Sequence, residues 1–190
     1  MLILGPQGSG KGTQAQRIAT SYGLAHVATG DMLRRAIAAG TELGRRVKPI
    51  YDAGELVPDD LMIDLIRDRL GEEDVEDGFI LDGFPRTMPQ AEALDRMLRE
   101  IDRSLTIVFL LEVPEDECVA RLMRRAAAEN RTDDTPDAIR TRLELYRRET
   151  EPLIEYYRAQ ALLVGIHGDR PPDEVFAEIQ DALETLAVRR

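Results

Sequence analysis

Thirteen N-terminal residues constrain the fold more than any other part of the chain. The apolar run Met1-Leu-Ile-Leu4 stops at Gly5-Pro-Gln-Gly-Ser-Gly10-Lys11-Gly12-Thr13. A short strand that runs into Gly, four residues and then Gly-Lys is the pattern of a phosphate-binding loop. The glycines let the backbone curl so that successive N–H groups point inward at an anion. Lys11 adds a point charge, and a helix starting near Gly12 aims its positive end at the same place. The general pattern wants Ser or Thr directly after the lysine; here Gly12 intervenes and Thr13 brings the hydroxyl. The plain alternative is a glycine-rich turn ahead of an ordinary helix.

Beyond the loop, apolar runs predict strands over 1–4, 24–28, 79–81, 106–112 and 162–166. Helical patterns fill the gaps over 13–22, 32–39, 41 to about 54, 59–70, 88–100, 114–125, 136–160 and 171–188. Gly23 fits a left-handed cap. Asp31 and Thr41 fit N-caps, and Asp59 or Asp60 opens the helix that reaches Leu70. Prolines sit near the first turns, where they are tolerated. Alternating strands and helices predict an α/β fold: a five-stranded parallel sheet covered by helices on both faces, in a single domain over 1–190. Ligands on such sheets lie at the carboxyl ends of the strands. Most of the roughly fifty residues after the second strand read as helix, which predicts a mobile insertion. Gly40, Gly44 and Gly54 are its candidate hinges.

The chain carries 43% apolar residues, enough for a sizeable core, and a net charge of −11. An acidic protein that binds anions must concentrate positive charge locally, so the placement of arginines matters. No basic stripe points to nucleic acid. Cys118 is the only cysteine, which excludes a disulfide framework and a four-cysteine zinc site within the chain. Neither a secretion leader nor a stretch of about 20 apolar residues is present, so a cytoplasmic protein away from membranes is expected.

A second constellation is Gly78-Phe-Ile-Leu-Asp82-Gly83-Phe84-Pro85-Arg86. An acid at a strand's carboxyl end beside a phosphate loop is placed to hold Mg²⁺ through water, because that ion keeps much of its hydration shell. Arg86 follows a turn fixed by Gly83 and Pro85, so its guanidinium can meet a phosphate bidentately. A buried capping Asp with a surface Arg is the ordinary reading of the segment alone.

Gly5 to Thr13, Thr29-Gly30-Asp31-Met32-Leu33-Arg34 and Leu81-Asp82-Gly83-Phe84-Pro85-Arg86 resemble the three signature segments of adenylate kinases. The resemblance extends over essentially the whole chain, including Gly54-Glu-Leu-Val57-Pro-Asp. It implies a P-loop NTPase-type three-layer fold and reversible phosphoryl transfer from Mg-ATP to AMP giving two ADP; with no long apolar helix face left over in the sequence, a monomer is the default expectation. On the acceptor side it implies contacts from Thr29, Gly30, Arg34, Glu55, Leu56, Val57, Gly83, Phe84, Pro85, Arg86 and Gln90. Thr29 and Gln90 favour adenine. On the ATP side it implies Gly8, Ser9, Gly10, Lys11, Gly12 and Thr13 around the phosphates, with Arg121 against the base and Arg125 on the phosphates. Gly168 and Arg170 match positions that line the ATP base. Arg131 and Arg142 would bridge toward the phosphates being joined, so that Lys11, Arg86, Arg121, Arg125, Arg131 and Arg142 form the catalytic set. Such transfer asks for alignment and neutralised charge rather than a nucleophile on the protein.

By the same resemblance 28–57 is the monophosphate-binding insertion and 124–134 a short lid, without the roughly forty-residue insertion and zinc cysteines of longer members. No zinc is therefore expected. Asp133 and Asp134 read as caps for the next helix, and the resemblance adds a tether for the closed lid. His26 and His167 match no catalytic position. Arg99, Arg103, Arg147 and Arg148 read as solvated, and Glu144 and Glu149 as helix-face partners. Two competing readings are a UMP/CMP kinase on the same scaffold and a sensing module that kept the loop but lost turnover.

Overall fold

The computed structural model describes residues 1–129 and 134–188. Its strands are β1 (Leu2–Leu4), β2 (Ala25–Ala28), β3 (Phe79–Asp82), β4 (Val108–Glu112) and β5 (Leu163–His167). The helices are α1 (Lys11–Tyr22), α2 (Thr29–Ala38), α3 (Glu42–Asp52), α4 (Asp59–Leu70), α5 (Met88–Glu100), α6 (Glu115–Glu129), α7 (Pro136–Leu145), α8 (Pro152–Ala159) and α9 (Pro172–Val188). The strands form one parallel sheet in the order β2-β3-β1-β4-β5. This is the predicted α/β architecture.

Side-chain alternation along the strands divides the core in two. Leu2, Leu4, Leu81 and Val108 face one layer, packed with Ile66 of α4, Leu94 of α5 and Tyr157 of α8. Ile3, Ile80, Phe109 and Ile166 face the other, packed with Ile18 of α1 and Ile179 of α9. A small third cluster joins Leu122 of α6 to Ile139 and Leu143 of α7. The register sets Ile3 and Ala28 against Asp82, so the carboxyl ends of β1, β2 and β3 open at one place. Among the described residues no helix is long and apolar enough to cross a membrane.

Several local expectations need correction. The helix after β2 starts at Thr29 rather than Met32, and Asp31 lies inside its first turn instead of capping it. Thr41 does cap α3, accepting from the Gly44 N–H. The helix expected to end at Arg125 continues to Glu129, because Ala126, Ala127 and Ala128 are strong helix formers. The long helix expected over 136–160 is broken by a π-type turn, Tyr146–Thr150, ahead of Pro152. Pro152 has no N–H to continue the ladder, and its ring crowds the preceding turn. Thr135 caps α7 through Ala138 N–H, which frees Asp134 for other partners. Arg103 is not simply solvated: it donates to the Val75 and Glu76 carbonyls and pins the short 3₁₀ turn before β3.

Candidate active site

At the open strand ends lies a cleft of about 550 Å³. Its lining, among the described residues, includes Gly8, Gly10, Lys11, Gly12, Thr13, Thr29, Gly30, Arg34, Glu55, Leu56, Val57, Asp82, Gly83, Pro85, Arg86, Gln90, Arg121, Arg125 and Arg142. Six cationic side chains (Lys11, Arg34, Arg86, Arg121, Arg125, Arg142) meet three carboxylates (Asp31, Glu55, Asp82) there. A chain of net charge −11 therefore keeps a locally positive cleft.

The loop between β1 and α1 curls over the start of the helix. Gly8 has φ +84°, and a Cβ there would sit 2.4 Å from the Cys118 carbonyl oxygen, so this turn against α6 admits only glycine. Lys11 Nζ donates to the Gly5 and Pro6 carbonyls, each at 2.7 Å. Burial pushes the Lys11 ammonium down from its ordinary 10.5 to about 8, against the opposing pull of Asp82.

Asp82 ends β3 beneath the loop. Burial alone would raise its carboxyl, but His26, Lys11 and Arg86 outweigh that and hold it below the usual carboxylate range. His26 Nε2 stands 3.7 Å from Asp82 Oδ2, beyond hydrogen-bond length and with no hydrogen-bond partner among the described residues, so its influence here is proximity rather than a bond. A Cβ at Gly12 would come within 3.3 Å of Asp82 Oδ2, a tighter approach than most side chains make, so a larger residue there would press on that carboxylate.

On the opposite wall Arg86 leaves the Gly83-Phe-Pro turn, whose Phe84–Pro85 bond is cis. Its Nε donates to the Gly83 carbonyl at 2.8 Å, and its own carbonyl accepts from Thr150 Oγ1 at 2.9 Å. Burial depresses the Arg86 guanidinium from its ordinary value, with Asp82 opposing and Arg142 adding to the effect. A buried cation that lacks a full counter-charge is poised to meet an anion. Thr29 Oγ1 donates to the Asp82 carbonyl at 3.2 Å, tying β2's end to β3's. Gln90 is 2% exposed and accepts from Arg86 N–H at 2.8 Å.

The third wall comes from α6 and α7. Fully buried Asp134 accepts from Arg125 Nε and Nη2 at 2.9 and 2.6 Å, and from Arg142 Nη1 at 2.6 Å. This is an ion-pair hub rather than a helix cap. Arg142 also donates to the Tyr51 carbonyl at 3.2 Å and lies 5.5 Å from the Tyr51 ring centre. Arg34 donates to the Tyr51 hydroxyl at 2.7 Å and pairs with Asp31.

Some expected positions stand apart from the cleft. Ser9 and Phe84 are buried, at 1% and 0% exposure, behind the surface that their neighbours form. Gly168 meets the site through its carbonyl, which accepts from Arg121 Nη1 at 2.9 Å, while Arg170 pairs with Glu178. Arg131 and Asp133 lie outside the described residues. Sequence reasoning passed over Tyr51, which joins two of the arginines. Its one available signal was an aromatic residue just before Gly54 in a chain with 5% aromatics.

The sequence model of the adenylate kinase family matches residues 3–162. An adenylate kinase of Thermus thermophilus is 52% identical over 183 residues, covering 96% of both chains. One from Leifsonia xyli subsp. xyli is 50% identical over 96% of this chain and 92% of its own. One from Archaeoglobus fulgidus is 41% identical over 213 aligned positions and 98% of each chain, so it carries residues that this chain of 190 lacks. With a glycine cradle, a strand-end acid and converging guanidinium groups on one cleft, and similarity running nearly end to end, this chain belongs to the adenylate kinase family.

Proposed function

We propose that the cleft seats two nucleotides end to end and passes a phosphoryl group between them, ATP and AMP giving two ADP, as the family does. ATP rests its phosphates on Gly8, Ser9, Gly10, Lys11, Gly12 and Thr13. Its base lies toward Arg121, Gly168 and Arg170. AMP occupies the opposite side, between Thr29, Gly30, Arg34, Glu55, Leu56 and Val57 and the Gly83, Phe84, Pro85, Arg86 and Gln90 segment. Arg125, Arg131 and Arg142 bridge toward the transferring group, with residues 124–134 as a short lid and 28–57 as the moving acceptor insertion.

One observation carries this reading: among the described residues six cations converge on a cleft of an otherwise acidic protein. Two anionic substrates repel each other, and only fixed positive charge offsets that cost as they approach. Arginine suits the task because it keeps its proton and forks onto two oxygens. The phosphate of AMP is itself a competent nucleophile, so the residues need only align, neutralise and exclude water.

The oxygen donors fit magnesium. Asp82, held ionised by its neighbours, and the Thr13 hydroxyl both line the cleft beside the glycine cradle, and hard oxygen ligands suit that ion. Asp82 would hold it through water and Thr13 would face it. When bound, Mg²⁺ supplies charge neutralisation on the ATP phosphates. A cytoplasmic monomer is the working state. A coupled assay for ADP from Mg-ATP and AMP is the direct test. Steady turnover with AMP is expected, and efficient use of CMP without AMP would overturn the assignment of the acceptor.

A further inference from the structure

Gln90 has a side-chain amide whose orientation is fixed from both ends. Its Oε1 accepts from Arg86 N–H at 2.8 Å, and its Nε2 donates to Asp59 Oδ1 at 2.7 Å. A backbone N–H only donates and a carboxylate only accepts, so the oxygen and nitrogen cannot exchange places without losing both bonds. Asp59 is itself held, because Thr87 Oγ1 donates to the same oxygen at 2.9 Å. Thr87 in turn caps α5 by accepting from Gln90 N–H. The carboxylate arrives from another element, the first residue of α4, directly after the mobile insertion.

These partners use only part of the amide's capacity. Among the described residues one lone pair on Oε1 and one hydrogen on Nε2 remain for a ligand, on a residue that lines the cleft. An acceptor beside a donor complements the adenine edge, where the 6-amino group donates and N1 accepts. Hypoxanthine presents the reverse, a 6-oxo acceptor and an N1–H donor, and calls for the amide turned over. We propose that Asp59 is a specificity-positioning residue: it locks the Gln90 amide in the sense that selects adenine over 6-oxopurine in the acceptor nucleotide. This rests on the reading above that Gln90 faces the acceptor base.

The experiment compares kcat/KM for AMP and IMP as acceptors, at saturating Mg-ATP, in the full chain. Asp59→Ala should lower the AMP/IMP ratio about tenfold, mainly through a higher KM for AMP, with KM for ATP unchanged within twofold. Asp59→Asn keeps an oxygen that accepts from both Thr87 and Gln90, so its ratio should stay within about threefold of the parent. Asp59→Ser, too short to reach the amide, replaces the alanine variant should that one fail to fold. A parental ratio in Asp59→Ala or Asp59→Ser overturns the inference. So does an equal loss in Asp59→Asn, which would make charge and not orientation the cause. Gln90→Ala separates the two levels. A lowered ratio there with none in Asp59→Ala removes only the role of Asp59, whereas a parental ratio in Gln90→Ala removes the base-reading role of Gln90 and the inference together.

Discussion

The two halves of the cleft are built from different materials. On the Gln90 side the wall is made of side chains held by neighbours: Gln90 by Arg86 N–H and Asp59, Arg86 by Gly83, Arg34 by Tyr51 and Asp31. On the Lys11 side, a curled backbone and one ammonium group form much of the wall, with Arg121 donating to the Ser9 and Gly168 carbonyls beside them. Of the two arginines expected at the ATP base, Arg121 lines the cleft and Arg170 is an exposed residue paired with Glu178. Fixed side-chain donors and acceptors recognise a hydrogen-bond pattern, and a wrong partner leaves them unpaired at a cost of about 1–3 kcal/mol each. A ring of backbone N–H groups recognises phosphate, which every nucleotide carries. Selectivity is therefore expected in the first half and tolerance in the second.

The largest effect should come from Arg86→Ala, which removes the cleft guanidinium seated on the Gly83 carbonyl. A fall of about 10³ or more in kcat is expected, and a loss below tenfold would count heavily against its role. Next, exchanging the bases tests the asymmetry directly. CMP in place of AMP should cost about 10² or more in kcat/KM, whereas GTP in place of ATP should cost less than about tenfold; equal penalties would break the comparison. Tyr51→Phe deletes a hydroxyl that steadies Arg34 but leaves the ring beneath Arg142. It should raise KM for AMP roughly three- to tenfold, as one hydrogen bond to a charged group implies, with kcat little changed.

The smallest effect is a proton count. With its folded pKa near 8, Lys11 is largely neutral at pH 9 in the empty protein, and a phosphate in the cradle restores the charged form. ATP binding measured calorimetrically in buffers of different ionisation enthalpy should take up close to one proton at pH 9 and almost none at pH 6.5. The same shift acts on stability. The folded state binds fewer protons than the unfolded one between about pH 8 and 10.5, so this site's penalty is full below pH 8 and relieved as pH rises through that window.

Features carried by local chemistry were legible in the chain. Gly5 to Thr13 needed only the spacing of glycines around Lys11, and Asp82 and Arg86 needed only a strand end and a turn. Partners that meet across the fold were not. Asp134 looked like a cap because it precedes Pro136, yet Thr135 takes that task and Asp134 turns to Arg125 and Arg142. Tyr51 and Asp59 act through residues 91 and 31 positions away, distances at which sequence pattern carries no signal. Pro152 was visible, but its consequence for the helix before it went unread.

That interruption reaches the chemistry from far off. An α-helix turns about 100° per residue, and the wide winding at Tyr146–Thr150 accommodates one residue more than a regular turn. Thr150 is the last residue of that turn, and its hydroxyl is the donor that the Arg86 carbonyl accepts from. A local excess of chain length thus serves as a spacer, setting from a neighbouring helix the seat of a guanidinium group that the helix itself never carries.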